Sequence, residues 1–122
     1  MSEHSEQVKV CHYLDFLRVL YFAIPNGIFL KDKQTAFRII NKQKSEGMSA
    51  GVPDLFICEA NKDYHGLFIE MKTKSGVLSE NQKKWIDKLN KNGYLAVCCK
   101  GFEEAREVID NYINKQEKGV LL

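Results

Sequence analysis

Two short apolar runs, Leu55–Cys58 and Leu67–Ile69, constrain this chain more than any other feature of its 122 residues. Each carries acidic chemistry at one end: Asp54 directly before the first and Glu70 directly after the second, with Lys72 two residues further on. Runs this short, rich in Leu, Phe and Ile and bounded by Pro, Asn, Asp and Gly, read as buried β-strands rather than helices. The polar, turn-rich segment Glu59–Gly66 between them predicts an antiparallel hairpin. Residues two apart on a strand share a face, so Glu70 and Lys72 project together and Met71 goes to the other side. Pairing of the strands brings Asp54 beside Glu70. Two carboxylates and one ammonium then converge at a sheet edge, a costly cluster unless something uses it.

The length predicts one domain spanning residues 1–122, large enough for a real core. Apolar residues make up 44% and charged residues 28%, values ordinary for a globular protein. No apolar run approaches the roughly 20 residues of a membrane span, and the polar N-terminus is unlike a secretory signal. No membrane partner and a cytoplasmic location are therefore expected. Cys11, Cys58, Cys98 and Cys99 lie in apolar stretches without the paired spacing of a zinc site, which predicts reduced thiols. The net charge of +2 is unevenly placed. Lys31–Glu46 has five basic residues against two acidic (+3), Lys72–Lys91 six against two (+4), and Glu103–Lys118 three against five (−2). A basic rim around an acidic centre suits a polyanion that must approach a metal. Lys74, Lys83 and Lys84 are its candidate phosphate contacts; solvated helix faces are the plainer alternative.

Taken in order, Val8, Cys11, Leu14, Leu17 and Leu20 predict an amphipathic helix over about Ser5–Tyr21. Phe22-Ala23-Ile24 reads as a short strand stopped by Pro25-Asn26-Gly27. A second helix runs from an Asp32 N-cap through Ala36, Phe37, Ile39 and Ile40 to about Glu46, with Gly47 placed as its C′ glycine. Ser79 and Gln82 fit a capping box for a third helix, through Trp85, Ile86 and Leu89 to Asn92-Gly93. Tyr94–Cys99 is a fourth strand, parallel to the Leu67–Lys72 strand because a helix separates the two. Phe102 to about Asn114 is the last helix, packing Ala105, Val108, Ile109, Tyr112 and Ile113. The predicted order is α-β-α-β-β-α-β-α: an α/β chain with one mixed four-stranded sheet and helices on both faces. The apolar tail Val120-Leu121-Leu122 either completes the core or covers a partner.

Asp54, Glu70 and Lys72 have the residue types that metal-dependent phosphodiester hydrolysis needs. Carboxylate oxygens are hard ligands suited to Mg²⁺ or Mn²⁺, and a neighbouring lysine can orient the attacking water or bind the scissile phosphate. No Cys–His or Ser–His–Asp arrangement competes, and His4, His12 and His65 lack metal-ligand spacing. Alone, Pro-Asp … Glu-x-Lys is a weak pattern, since an exposed Glu-x-Lys strand face and a Pro-Asp turn are both ordinary. Its position at the ends of the two most apolar strands strengthens it.

The chain resembles a VRR-NUC (virus-type replication-repair nuclease) domain, a branch of the PD-(D/E)XK nuclease superfamily, and in particular its small stand-alone phage and prophage members. The resemblance is carried by Glu3–Gln7, Phe22-Ala-Ile-Pro-Asn-Gly27, Ala50-Gly-Val-Pro-Asp-Leu-Phe56, Gly66-Leu-Phe-Ile-Glu-Met-Lys72, Leu78-Ser-Glu-Asn-Gln82 and Gly93-Tyr94. It implies a restriction-endonuclease-like core with Asp54 and Glu70 as metal-binding acids and the carbonyl of Met71 as a further ligand. Lys72 takes the place of the catalytic lysine, and Gln82 that of a glutamine near the active site, with helix capping as its alternative. The family's first-helix acid is Glu3 or Glu6, with Glu3 preferred on its spacing to Gln7. Asn26 either touches DNA or forms a turn.

What the resemblance implies functionally is an Mg²⁺-dependent DNA endonuclease, Mn²⁺ substituting, with no small-molecule cofactor. The expected substrate is a four-way (Holliday) junction cut by a homodimer in a bacterial host cell. The alternatives are a phage nuclease acting on flaps, ends or single strands, and a non-catalytic DNA-binding protein on the same scaffold. The intact Asp54–Glu70–Lys72 set argues against the last.

Overall fold

The computed structural model describes residues 2–25 and 32–115. Eight elements follow the predicted order: α1 (Glu3–Leu17), β1 (Tyr21–Ala23), α2 (Lys33–Ser45), β2 (Leu55–Ile57), β3 (Leu67–Lys72), α3 (Glu80–Lys91), β4 (Leu95–Lys100) and α4 (Phe102–Ile113). Local chemistry sets the helix ends. Ser2 and Ser5 form a reciprocal capping box, which starts α1 two residues earlier than its apolar spacing suggests. Asp32 caps α2 by accepting the Gln34 N–H, and Gly47 follows its end at φ +103°. Ser79 and Gln82 form the expected box at α3.

The strands make one mixed sheet in the order β1-β2-β3-β4. β1, β2 and β3 are antiparallel neighbours, while β3 and β4 run parallel through the α3 crossover. Leu55 pairs with Ile69 and Ile57 with Leu67, which is the expected hairpin. The outer edge of β4 is closed at Ala96, whose N–H and C=O both bond to the Asn90 side-chain amide at 2.9 and 3.1 Å. An edge blunted in this way resists unwanted strand pairing.

Alternation along β3 divides the molecule. Leu67, Ile69 and Met71 are fully buried on one face with Val10 and Leu14 of α1 and Ala105, Ile109 and Tyr112 of α4. Tyr13 donates a hydrogen bond to Asp110, joining the two helices. The other face carries Phe68, stacked on Phe56 at 4.3 Å and edge-on to Tyr94, and then Glu70 and Lys72. Truncating a core side chain such as Ile109 to Ala would cost about 2–5 kcal/mol.

The expected face of α1 needs correction. Val8 is exposed at 37% and Leu20 at 68%; the buried stripe of α1 is Glu6, Val10 and Leu14. Nor does α2 bury any residue, and Phe37 is 65% exposed. Spacing alone fits more than one stripe on a helix, and the partner surface selects between them. All four cysteines are free. Asn26 and the tail Val120–Leu122 lie outside the described residues.

Candidate active site

The site forms where β2 begins and β3 ends. Asp54 immediately precedes β2, and its carbonyl accepts the Ile24 N–H at 2.7 Å, holding it to the strand next door. Continuing the β2–β3 register by one residue sets Asp54 opposite Glu70. Asp54 Oδ2 accepts the Met71 N–H at 2.8 Å. A carboxylate thus takes the ladder position that a longer β2 would have filled. Because the N–H and C=O of one strand residue point to the same side, the Met71 carbonyl faces this gap too.

Glu70 is 2% exposed. Its Oε2 accepts Gln82 Nε2–H at 3.2 Å and lies 3.7 Å from Lys72 Nζ, while its buried Oε1 has no donor. Burial, followed by the charge of Asp54 and a carboxyl–carboxyl hydrogen bond with it, pushes the Glu70 pKa up to about 8. Lys72 opposes this shift and the charge of Glu3 adds to it. The lysine does not win. At neutral pH Glu70 therefore keeps its proton.

Helix α3 closes over this face, and Gln82 serves two roles at once. Its Oε1 accepts the Ser79 N–H at 2.8 Å to complete the capping box, which leaves its amide N–H to reach Glu70. The capping alternative is met, and the same amide also reaches Glu70. The loop carrying Asp54 packs tightly against the same helix end. A Cβ on Gly51, at φ +91°, would stand 2.7 Å from the Asn81 carbonyl carbon, so only glycine fits this approach.

Glu3 and Glu6 have different environments. Glu6 is buried, with Oε1 accepting the Phe102 N–H at 3.0 Å and Oε2 2.8 Å from Lys9 Nζ. These partners, Lys9 first, hold its pKa below the usual carboxylate range. Glu6 supplies the cap that Gly101 cannot give to α4. Nothing in the local sequence pointed to this role, since the two residues are 96 positions apart. Glu3 is exposed, and its charge acts on Glu70. Lys74, Lys83 and Lys84 are exposed; Lys83 lies 3.5 Å from Glu80. Cys98, the register partner of Glu70, has its thiol pKa raised by burial and then by the Glu70 charge. The broad hollow of about 550 Å³ on α2, lined by Lys33, Gln34, Phe37 and Arg38, shares no residue with the site.

These groups fit a divalent cation. Among the described residues no group of three His, Cys, Asp or Glu side chains could hold a metal, and Asp54 and Glu70 form a pair that could offer two carboxylate ligands. A buried carboxylate oxygen without a donor and a proton retained near neutrality are what a dication would satisfy and displace. Hard ions such as Mg²⁺ keep several waters and need few protein ligands.

A mixed sheet with an acid before one hairpin strand and Glu-x-Lys ending the other is a PD-(D/E)XK nuclease-like core. The chain belongs to the VRR-NUC domain family, whose model matches residues 3–103. It is also similar to a solved structure of a VRR_NUC domain protein, with a TM-score of 0.78 and 29% identity over 96% of this chain and 92% of that one. No curated protein matches. Membership makes the chain a nuclease of the PD-(D/E)XK type acting on DNA, a class that generally uses divalent metals. Among the described residues no helix is long and apolar enough to cross a membrane.

Proposed function

We propose that the protein is an Mg²⁺-dependent, structure-selective DNA endonuclease that cuts branched DNA, with the four-way junction as its leading substrate. The observation that carries the chemistry is the Asp54–Glu70 pair, with its donor-free Glu70 Oε1 and its adjoining Lys72. Asp54, Glu70 and the Met71 carbonyl would hold the ion, with Glu3 as the first-helix acid because Glu6 is committed to α4. When bound, such an ion would supply positive charge for the phosphate and lower the pKa of a water. Lys72 Nζ orients that water against the scissile phosphate, and Gln82 fixes the Glu70 carboxylate. Lys74, Lys83 and Lys84 take neighbouring phosphates, and Asn26 is a further candidate DNA contact.

The preference for junctions rests on the resemblance to small stand-alone members of the family and on a homodimer that places two sites with two-fold symmetry. Exposed Phe16 and Phe37, at 80% and 65%, support an interface involving α1 and α2. The full chain of residues 1–122 is read as one nuclease domain working in the cytoplasm of a bacterial host.

Labelled duplex, flap and four-way-junction DNA incubated with and without Mg²⁺ test this reading, together with sedimentation. Paired nicks in the junction, only with Mg²⁺, by a species of about twice 14.1 kDa are expected. A monomer that cuts flaps better than junctions would overturn the junction assignment. Absence of any cleavage would favour a binding protein.

A further inference from the structure

Lys100 ends β4 and is the register partner of Lys72 in the parallel β3–β4 pair, so the two side chains leave neighbouring strands on one face. The strands are about 4.8 Å apart at such a position. Like charges placed there repel each other and destabilise a sheet. Lys72 Nζ lies 3.7 Å from Glu70 Oε2. Among the described residues no carboxylate forms an ion pair with Lys100, as is also true of Lys74, Lys84 and Lys88; what sets Lys100 apart is its place beside Lys72. Glu104 Oε1 accepts the main-chain N–H of Lys100 at 2.8 Å. Two residues on, the Phe102 N–H is held by Glu6, and Gly101 between them is buried at φ +98°. Two glutamates thus fix the backbone at the end of β4 and leave an exposed ammonium beside the catalytic lysine. A local repulsion kept without compensation marks a functional position.

We propose that Lys100 is a substrate-binding residue that holds a DNA backbone phosphate next to the scissile one, its charge being balanced by DNA rather than by the protein. Resting on the nuclease reading, this adds a contact from β4 to a site otherwise built by α1, β2, β3 and α3. Lys72 then serves the reacting phosphate and Lys100 its neighbour on the same strand.

Fluorescence anisotropy with labelled duplex and four-way-junction DNA, in EDTA across a series of NaCl concentrations, tests the proposal without turnover. Lys100→Ala should flatten the dependence of log K on log salt by about 0.9, the loss of one phosphate contact. Lys100→Arg should restore the slope, and Lys115→Ala, which removes a lysine already paired with Asp63, should leave it unchanged. In cleavage assays Lys100→Ala should raise KM more than it lowers kcat. Wild-type slopes in both Lys100→Ala and Lys100→Glu would overturn the assignment while leaving the nuclease reading intact. Wild-type protein without salt-dependent DNA binding would overturn both.

Discussion

Gln82 and Glu70 are joined by an amide hydrogen bond of 3.2 Å whose direction is set by a second bond. Because Gln82 Oε1 is held by the Ser79 N–H, only the amide N–H can face the site. The end of α3 and the charge state of the active site are thereby linked through one side chain.

Substitutions at Gln82 should separate its two roles. Gln82→Glu keeps an acceptor for the capping box but places a further carboxylate beside Glu70. Melting temperature at acid pH should stay near wild type while cleavage falls at least about tenfold, equivalent to about 1.4 kcal/mol in the barrier. Gln82→Ala should lose cleavage and also about 0.5–1 kcal/mol of stability. Wild-type cleavage by Gln82→Glu would reduce the residue to a cap.

The raised Glu70 pKa predicts a pH dependence of stability with a definite sign. Its folded value of about 8 lies above the ordinary carboxylate value of 4.5. Between these values the folded protein keeps a proton that the unfolded chain releases, so stability falls as pH rises. The contribution is complete below about pH 4.5 and lost above about pH 8. Thermal unfolding in EDTA should show wild type losing stability across this window relative to Glu70→Gln, and Mn²⁺ should remove the difference. Parallel curves in EDTA would contradict the shift.

Glu6 should titrate in the opposite sense. Its pKa is held below the usual range by Lys9 and by the Phe102 N–H, so its contribution is present near neutrality and lost as pH falls through the depressed value. Glu6→Ala should lower the melting temperature at pH 7 and shift the amide resonance of Phe102, with Glu6→Gln intermediate because it keeps an acceptor. Metal affinity should fall less in Glu6→Ala than in Glu70→Gln. The reverse order would make Glu6 the first-helix ligand in place of Glu3.

Gly51 tests how the site is held together. Gly51→Ala combines a positive φ with a contact of 2.7 Å to the Asn81 backbone, so the Asp54 loop must shift from α3. Cleavage should drop at least about tenfold, with less change in the chemical shifts of Ile109 and Tyr112. Gly47→Ala, also at positive φ but with open space around it, should leave cleavage near wild type. Equal effects on cleavage would remove the packing argument.

The features most legible in the sequence were those that local chemistry dictates. Short apolar runs, helical spacing, turn residues and the Ser79–Gln82 capping box gave all eight elements in order, and a register set by one hairpin brought Asp54 to Glu70. What depends on distant packing was hidden. The spacing of α1 pointed to Val8, whereas the buried face carries Glu6, a charge that no apolar pattern would place inside and that Phe102 makes tolerable. Gln82 reads locally as a cap, and only the docked helix shows that the same amide reaches Glu70. Lys100 went unremarked for a similar reason: its neighbour Lys72 is 28 positions away, across a parallel register no local signal specifies.

The central claim is that Asp54 and Glu70 form a divalent-metal site. Calorimetric titration of the wild type, Asp54→Asn, Glu70→Gln and Lys72→Ala with Mn²⁺ at two pH values tests it most directly. Wild type and Lys72→Ala should bind, with affinity rising as pH approaches about 8 and Glu70 gives up its proton. Asp54→Asn and Glu70→Gln should lose binding while remaining folded. Wild-type affinity in Glu70→Gln would contradict the account.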